Sequence, residues 1–217
     1  MTETIDELAD RLDRALPFTG VGTATGPRTI PCADVVERAA DDPLAGWRAA
    51  TGRQLEARHG VRVRPHVPAA FVLQWWCEVV ATPSAYAARL GPWVLRGPGG
   101  LGFELAQALH PERLVLLPDL SVEVVGPVAD RISRARAAYR EVVDPVVRAF
   151  APDVKMSSRQ RWGVVEDTWA TALRRATEAT QSPRTPPGPD PWRTSCCFIY
   201  ALPGLRACAA CPRRRRS

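Results

Sequence analysis

Four of the six cysteines lie within sixteen positions near the C-terminal end of the sequence. Cys196 and Cys197 are adjacent, and Cys208 and Cys211 follow with the overall spacing C-C-x10-C-x2-C. Thiolates are soft donors that bind zinc, copper(I) and iron–sulfur clusters. A Cys-x-x-Cys step is a short loop that often supplies two ligands to one metal site. The spacing therefore predicts a soft-metal site in the last part of the chain.

The adjacent pair narrows the choice of metal. Neighbouring side chains in an extended segment point in opposite directions, so Cys196 and Cys197 are poorly placed to bind one tetrahedral ion. A two-iron cluster spreads its ligand positions over a larger object, which four thiolates can share. The pattern favours a [2Fe–2S] cluster, with a zinc knuckle and then disulfides as the alternatives.

The cysteine motif and its flanks resemble the C-terminal motif of the FhuF-type ferric siderophore reductases, which are cytoplasmic [2Fe–2S] proteins. The similar positions are Arg193, three residues before the first cysteine, and Tyr200, Leu202 and Pro203 inside the ten-residue loop. Weaker similarities lie upstream, in Gln74-Trp75-Trp76 and in Arg161-Trp162-Gly163-Val164. The second of these has Val164 where the family has asparagine, so a polar role at that position is in doubt.

The resemblance implies that Cys196, Cys197, Cys208 and Cys211 are the ligands of a [2Fe–2S] cluster, and no catalytic residue is expected beyond that cluster. Arg193 and Arg206 are the expected charged neighbours that adjust its electronic properties. The implied substrate is a ferric siderophore, of the hydroxamate type, and the implied reaction is its one-electron reduction to release Fe(II). The expected electron donor is a ferredoxin or a reduced flavin system.

A substrate cleft is expected between the helical body and the cysteine-rich end. Its aromatic walls are predicted from Trp75, Trp76 or Trp192, although core packing remains the commoner role of a tryptophan. Cys32 and Cys77 lie far from the motif and are interpreted as buried core thiols. The three histidines have no metal-binding spacing and are interpreted as ordinary core or surface residues.

The composition is that of a globular protein with a sizeable core: 46% of residues are hydrophobic and 24% are charged. No apolar run reaches the length of roughly 18–20 residues that a membrane span needs. The N-terminal residues are acidic and do not resemble a secretory signal. We therefore expect a reducing, cytoplasmic setting, in which clustered cysteines bind metal more often than they form disulfides.

Hydrophobic periodicity predicts an α+β fold: a mostly helical body, a small antiparallel sheet and a short C-terminal cysteine-rich module. Strands are predicted over 93–96, 113–117 and 121–125, with residues 118–120 turning the last two into a hairpin. The predicted helices span 2–16, 32–40, 43–59, 69–81, 129–150 and 159–180. The fourth is expected to end near Pro83, and the fifth to bend at Pro145.

The sequence from Gly97 to Gly102 matches the dinucleotide-binding pattern G-x-G-x-x-G, between a predicted strand and a predicted helical segment over 103–109. That site would need a doubly wound parallel sheet, for which the chain offers too few strands. Pro98 also removes an N–H near the place of the phosphate. The pattern is therefore interpreted as a glycine-rich turn.

The chain divides by composition into a body (1–181), a proline-rich linker (182–190) and a [2Fe–2S] module with a basic tail (191–217). From Pro191 onward there are six arginines and no acid, and the rest of the chain holds 23 basic and 23 acidic residues. All of the net charge of +6 therefore lies beside the cysteines. These arginines would stabilise an anionic cluster and attract an acidic electron donor.

A non-enzymatic function is the second hypothesis. The protein would then be a zinc- or iron–sulfur-binding redox sensor, or a nucleic-acid-binding module that uses the basic tail. Nucleic acid is the less favoured partner because the body has no excess of basic residues.

Overall fold

The computed structural model describes residues 4–16, 19–181 and 192–214, and most of this part of the chain is helical. The α-helices, in chain order, are α1 (Ile5–Ala15), α2 (Cys32–Glu37), α3 (Ala45–His59), α4 (His66–Leu90), α5 (Val128–Ala149) and α6 (Ser158–Ala179). Short 3-10 helices occupy Ala39–Asp41 and Ile199–Ala201. Helix α4 lies at the centre, since it contacts α1, α3, α5 and α6.

The strands form two small sheets. They are β1 (Gly20–Gly22), β2 (Ile30–Pro31), β3 (Trp93–Arg96), β4 (Leu101–Leu105), β5 (Pro111–Leu116) and β6 (Ser121–Val124). The larger sheet has the order β1-β5-β4-β2, in which β1 and β5 are parallel and the other pairs are antiparallel. Strands β3 and β6 form a separate antiparallel pair. The α+β prediction is confirmed, and the sheet is mixed rather than purely antiparallel.

The predicted hairpin between the last two strands is wrong. Residues 117–120 do form a turn, in which the Leu120 N–H donates to the Leu117 carbonyl at 3.0 Å. However, β5 already has β1 on one edge and β4 on the other, so no edge is left for β6. The chain therefore passes to the second sheet, where β6 pairs with β3.

The glycine-rich segment is a turn, as predicted. Residues 97–100 connect β3 to β4, and Gly97 has a φ of +72°, a conformation that favours glycine. The expected helical segment over 103–109 is wrong, because β4 follows the turn directly. Phe103 is buried in that strand and stacks on the Trp47 ring with centroids 5.5 Å apart. A strand–turn–strand connection between two sheets is not a dinucleotide-binding unit.

Helix α4 is longer than predicted and runs through Pro83 to Leu90. A proline inside a helix removes one N–H donor and is normally destabilising. Here Pro83 is buried, and the hydroxyl of the next residue, Ser84, donates to the Val80 carbonyl at 2.8 Å. Helix α5 likewise continues past Pro145. The buried apolar surroundings of Pro83 offset the lost backbone hydrogen bond.

The core surrounds α4, whose apolar residues cover almost every face, as the sequence indicates. Cys32 and Cys77 are fully buried in it, which confirms their interpretation as core thiols. Burial raises the pKa of the Cys77 thiol to about 12 and raises that of Cys32 still further. Both thiols are therefore protonated at neutral pH and chemically inert.

The predicted linker (182–190) lies outside the described residues, and the division into body and module remains a prediction. Residues 192–214 are described and are called the cysteine segment below. Across the described ranges, none of the helices combines the length and the apolar character needed to cross a bilayer.

The position of Leu73 on α4 gives a test of the core. Leu73 is fully buried, whereas Leu205 in the cysteine segment is 42% exposed. Leu73→Ala should lower the free energy of unfolding by about 2–5 kcal/mol, because it removes buried methyl groups and leaves a cavity. The matched substitution Leu205→Ala should change it by less than about 0.5 kcal/mol. Urea denaturation measures both, and equal effects would contradict the described core.

Candidate iron–sulfur site

Backbone hydrogen bonds bring the two halves of the cysteine motif together. The Arg193 N–H donates to the Ala210 carbonyl at 3.1 Å, and the Cys211 N–H donates to the Cys208 carbonyl at 3.1 Å. Between them the chain reverses at Pro203-Gly204, where the Leu205 N–H donates to the Leu202 carbonyl at 3.2 Å and Gly204 has a φ of +74°. Proline and glycine are typical residues of such a turn.

The four thiols of the motif form two contacting pairs. Cys196 is in hydrogen-bonding contact with Cys211, and Cys208 is in hydrogen-bonding contact with Cys197. All four are free thiols. In the described part of the chain, no three Cys, His, Asp or Glu side chains converge as they would around a single metal ion. Two neighbouring thiol pairs fit the donor set of a two-iron cluster better than that of one tetrahedral ion.

The surroundings of Cys196 and Cys208 favour the neutral form of these two thiols. Burial is the largest cause and raises the pKa of Cys208 to about 11, while the nearby Arg193 guanidinium acts in the opposite direction. Burial also raises the pKa of Cys196, opposed by the Phe198 N–H, which donates to the Cys196 sulfur at 3.4 Å. Since metal ligands are thiolates, binding of a cluster must displace these protons.

The carboxylate of Asp167 on α6 holds the chain just before the first cysteine. It accepts hydrogen bonds from the Thr194 N–H at 3.0 Å, the Ser195 N–H at 2.7 Å and the Ser195 hydroxyl at 2.6 Å. Ser195 is completely buried. Hydrogen bonds to an ionised carboxylate are stronger than neutral ones. Asp167 therefore fixes the approach of the chain to Cys196.

Gln160, two helical turns before Asp167, binds the backbone of Cys196 itself. Its amide donates to the Cys196 carbonyl at 2.7 Å and accepts from the Cys196 N–H at 3.0 Å. Gly163 lies between the two on the same face of α6, and a Cβ atom there would be 3.2–3.3 Å from atoms of Thr194 and Ser195. The small residue at 163 therefore permits the close approach of the cysteine segment to α6.

The two predicted arginine neighbours differ. Arg193 is largely buried and donates to the Gln74 side-chain oxygen at 2.8 Å and to the Ser195 hydroxyl at 3.3 Å. Its Nε atom also lies 3.7 Å from the Asp167 carboxylate. Arg206 is exposed and makes no hydrogen bond or ion pair with the residues that the structure describes. Arg193 is therefore fixed beside the cysteines by its contacts, whereas Arg206 makes no described contact through which it would influence them.

The rest of the cysteine segment packs on the start of α4. Phe198 and Leu202 join a small apolar cluster with Val63 and Val67, and the Phe198 ring lies 5.4 Å from the His66 ring. Phe198 has a φ of +58°, a left-handed conformation that is costly for a bulky side chain. These apolar contacts offset the cost and complete the docking of the segment onto the body.

A cleft of about 430 Å³ lies between the cysteine segment and the body. The segment contributes Cys208, Ala209 and Ala210 to its wall, and the opposite walls come from α4, α6 and the start of β5. Trp75 lines the cleft, as predicted. Trp76 is fully buried in the core and does not line it, and Trp192 lies at a different surface. The expected set of three tryptophans is thus reduced to one.

The cleft contains both fixed and unpartnered polar groups. Glu78 is half-buried at its edge, and desolvation raises the pKa of its carboxyl, while the amide of Gln74, which donates to it at 2.7 Å, acts in the opposite direction. Thr168 lines the cleft, and its hydroxyl is buried without a hydrogen-bond partner among the described residues. A buried hydroxyl of this kind is a natural contact for a polar ligand.

Sequence reasoning missed Gln160, Asp167 and Gln74 as structural partners of the cysteine segment. Gln160, Gly163 and Asp167 recur at i, i+3 and i+7, the spacing of one helix face. A small residue between two polar residues on one face indicates a surface where another segment approaches closely. Val164, at the position of the family's asparagine, is buried in the core.

Four free thiols arranged as two contacting pairs, on a loop fixed by buried hydrogen bonds, suit the ligand set of a [2Fe–2S] cluster. Comparison with protein families agrees: residues 193–213 match the model described as the FhuF 2Fe-2S C-terminal domain. The chain therefore carries an FhuF-type C-terminal domain, and the cofactor of that domain is a [2Fe–2S] cluster. The match covers the cysteine segment and does not extend into the helical body. No curated protein matches the chain.

Asp167 provides a test of this site that is independent of activity. In the wild type both oxygens of the Asp167 carboxylate accept hydrogen bonds, and in Asp167→Asn an amide NH2 replaces one of them. The residues before Cys196 therefore lose charge-assisted hydrogen bonds of about 1.5–3 kcal/mol each. Loss of the visible absorbance of the anaerobically purified protein should become at least about tenfold faster. The neighbouring substitution Glu166→Gln removes ion pairs with Arg136 and Arg140 on the outer face of α6 and should leave this rate unchanged. Equal stability of the two variants would contradict the assigned position of Asp167.

Proposed function

We propose that this protein is a ferric siderophore reductase, which transfers one electron to Fe(III) in a bound chelate and releases Fe(II). In this proposal Cys196, Cys197, Cys208 and Cys211 are the ligands of the [2Fe–2S] cluster. The support comes from the FhuF-type domain, the two pairs of thiols and the adjoining cleft. The thiol pairing favours a two-iron cluster over the single zinc ion of the alternative hypothesis.

One observation carries the proposal: Cys208 lines the cleft. A chelate bound there would touch the loop that carries a cluster ligand, with no intervening layer of protein. A cleft that adjoins a redox site and contains few, specifically placed polar groups is typical of a substrate site.

The chemistry requires only a single electron. When bound, the cluster supplies a one-electron reductant. Hydroxamate oxygens are hard, anionic ligands that hold the ferric ion much more tightly than the ferrous ion. Reduction therefore weakens the complex, and iron leaves while the chelator stays intact. The task of the protein is to hold the chelate beside the cysteine segment.

The aromatic wall of the cleft is rigid and suited to the hydrocarbon arms of a chelator. Trp75 stacks on Trp47 with ring centroids 5.9 Å apart, and the Trp47 indole N–H donates to the Leu109 carbonyl at 2.8 Å. The His110 ring lies 6.5 Å from Trp75 and continues the wall. These contacts fix the apolar face, which would support the chelate within the cleft that Cys208 also lines.

The charges around the cleft favour a substrate without large net charge. Arg193 already faces the Asp167 carboxylate, and Arg175 interacts electrostatically with Glu78. A cluster with four thiolate ligands adds negative charge beside Cys208, which would repel a strongly anionic chelate. An Fe(III) trihydroxamate is uncharged and avoids this repulsion. The unpartnered Thr168 hydroxyl would donate to one of its oxygens.

The setting proposed for this reaction is the cytoplasm, with a ferredoxin or a reduced flavin system as the electron donor. The six cysteines of the chain are all free in the structure, as expected of a protein in a reducing compartment.

The test is a single-turnover reduction. Anaerobic protein is reduced with dithionite, freed of excess reductant and mixed with a ferric trihydroxamate in the presence of a ferrous chelator. We expect about one Fe(II) per cluster, together with two irons and two acid-labile sulfides per chain. Cys208→Ala should lose both the cluster and the reduction, whereas Cys32→Ala, at a buried cysteine outside the motif, should keep both. Native protein that is colourless and contains zinc, or a loaded cluster that reduces no ferric chelate, would overturn the proposal.

Trp75 allows chelate binding to be tested apart from reduction. Trp75→Ala removes the apolar wall, and the dissociation constant of the oxidised protein for a ferric trihydroxamate should rise by about 10- to 100-fold, the equivalent of about 1.5–3 kcal/mol. Trp75→Phe retains an aromatic face and should recover most of the affinity. Equilibrium dialysis gives both constants, and the iron content serves as the control for an intact cluster. An unchanged constant in Trp75→Ala would place the chelate elsewhere.

A further inference from the structure

A second depression lies on another side of the cysteine segment. Its volume is about 480 Å³, and the described residues that border it are Trp192, three arginines and several neutral residues, with no acidic side chain among them. The arginines are Arg159 at the start of α6, Arg193 and Arg213. Trp192 is 50% exposed, which is unusual for so large an apolar side chain. Arg159, Trp192 and Arg213 are called the arginine surface below.

The arginine surface adjoins one of the two thiol pairs. Pro212, which borders the depression, directly follows Cys211 in the chain, and Gln160, which also borders it, binds the Cys196 backbone. The substrate cleft, in contrast, is lined by Cys208 from the other pair. Arg193 borders both cavities. The cysteines therefore have one side facing the cleft and another side facing the arginine surface.

The positive charge of this surface is local and partly held in place. The Arg213 guanidinium lies 4.6 Å from the Tyr200 ring centroid and donates to the Tyr200 hydroxyl at 2.8 Å. Arg159 is exposed. The cysteine-rich end contains six arginines and no acid, while the rest of the chain has equal numbers of basic and acidic residues. A partner attracted by positive charge is therefore directed to this surface.

We propose that the arginine surface is the docking site of an acidic redox protein that donates one electron, an inference that rests on the proposed function. The donor loses one electron and the ferric chelate gains one, and no covalent bond forms or breaks in the donor. Charged groups around an exposed aromatic residue suit a small, transient interface, in which electrostatic attraction speeds association. Because donor and chelate occupy different surfaces, both can be bound at once.

An acidic protein fits this surface better than nucleic acid does. Nucleic-acid binding requires basic side chains along an extended face that contacts many phosphates. The balanced charge of residues 1–190 gives the body no such excess of positive charge.

The test uses an acidic plant-type [2Fe–2S] ferredoxin as the probe and the cluster-loaded full-length protein. The dissociation constant is measured by isothermal titration at 50 and 200 mM NaCl. For the wild type we expect binding that weakens steeply with salt. The double substitution Arg159→Glu and Arg213→Glu should weaken binding at 50 mM NaCl by at least about tenfold and reverse the salt dependence. Trp192→Ala should lower the affinity but keep the salt dependence.

The matched control reverses two exposed arginines of α3, Arg53→Glu and Arg58→Glu, which line neither cavity. It changes the net charge equally and should keep most of the affinity. Equal weakening in both double variants, or binding of duplex DNA but not of the ferredoxin, would overturn the docking site. Reduction of a ferric trihydroxamate by dithionite-reduced wild type is measured separately. If that reaction fails while ferredoxin binding behaves as expected, the proposed function is wrong and the docking surface stands.

Discussion

The site depends on the hydrogen bonds between α6 and the residues around Cys196. Asp167 accepts three hydrogen bonds from Thr194 and Ser195, and Gln160 makes two with the Cys196 backbone. These contacts fix Cys196 and the two residues before it relative to α6, a helix that is itself part of the core. The cysteine segment has no helix or strand longer than three residues among its described residues, so its geometry must come from its contacts with the body. The cysteine segment is therefore held in place by its contacts with α4 and α6.

The same scaffold forms the cleft in which the chelate is proposed to bind. Helix α4 presents Trp76 to the core and Trp75 and Glu78 to the cleft, so that one helix supplies both stability and a binding wall. Gln74 connects the two roles, since it binds Arg193 through its oxygen and Glu78 through its amide nitrogen. Any shift of α4 would move the cleft wall and the arginine beside the cysteines together. Under the proposed function, this coupling would keep the separation between the chelate and the redox site constant.

The local features of this protein could be predicted from the sequence, and the long-range ones could not. Cysteine spacing identified the iron–sulfur domain, and apolar periodicity identified the helices, because both depend on neighbours in the chain. The β5–β6 hairpin was wrong because pairing depends on β1 and β4, which occupy both edges of β5. Helix α4 passes Pro83 because its burial outweighs a local preference. Asp167 and Gln160 were missed because their partners lie about thirty residues away in sequence.

The two thiol pairs of the cysteine segment adjoin two different cavities. Cys208 faces the cleft, whereas the backbone around Cys196 and Cys211 adjoins the arginine surface. A donor protein is far too large for a cleft of about 430 Å³, so the donor and the chelate would interfere if they shared one entrance. Arg193 borders both cavities. Its guanidinium is held in place by Gln74, Ser195 and Asp167, so a fixed positive charge lies between the two cavities. That cation would stabilise added negative charge on the cysteines from either side, so electron entry and electron exit would share the same electrostatic support.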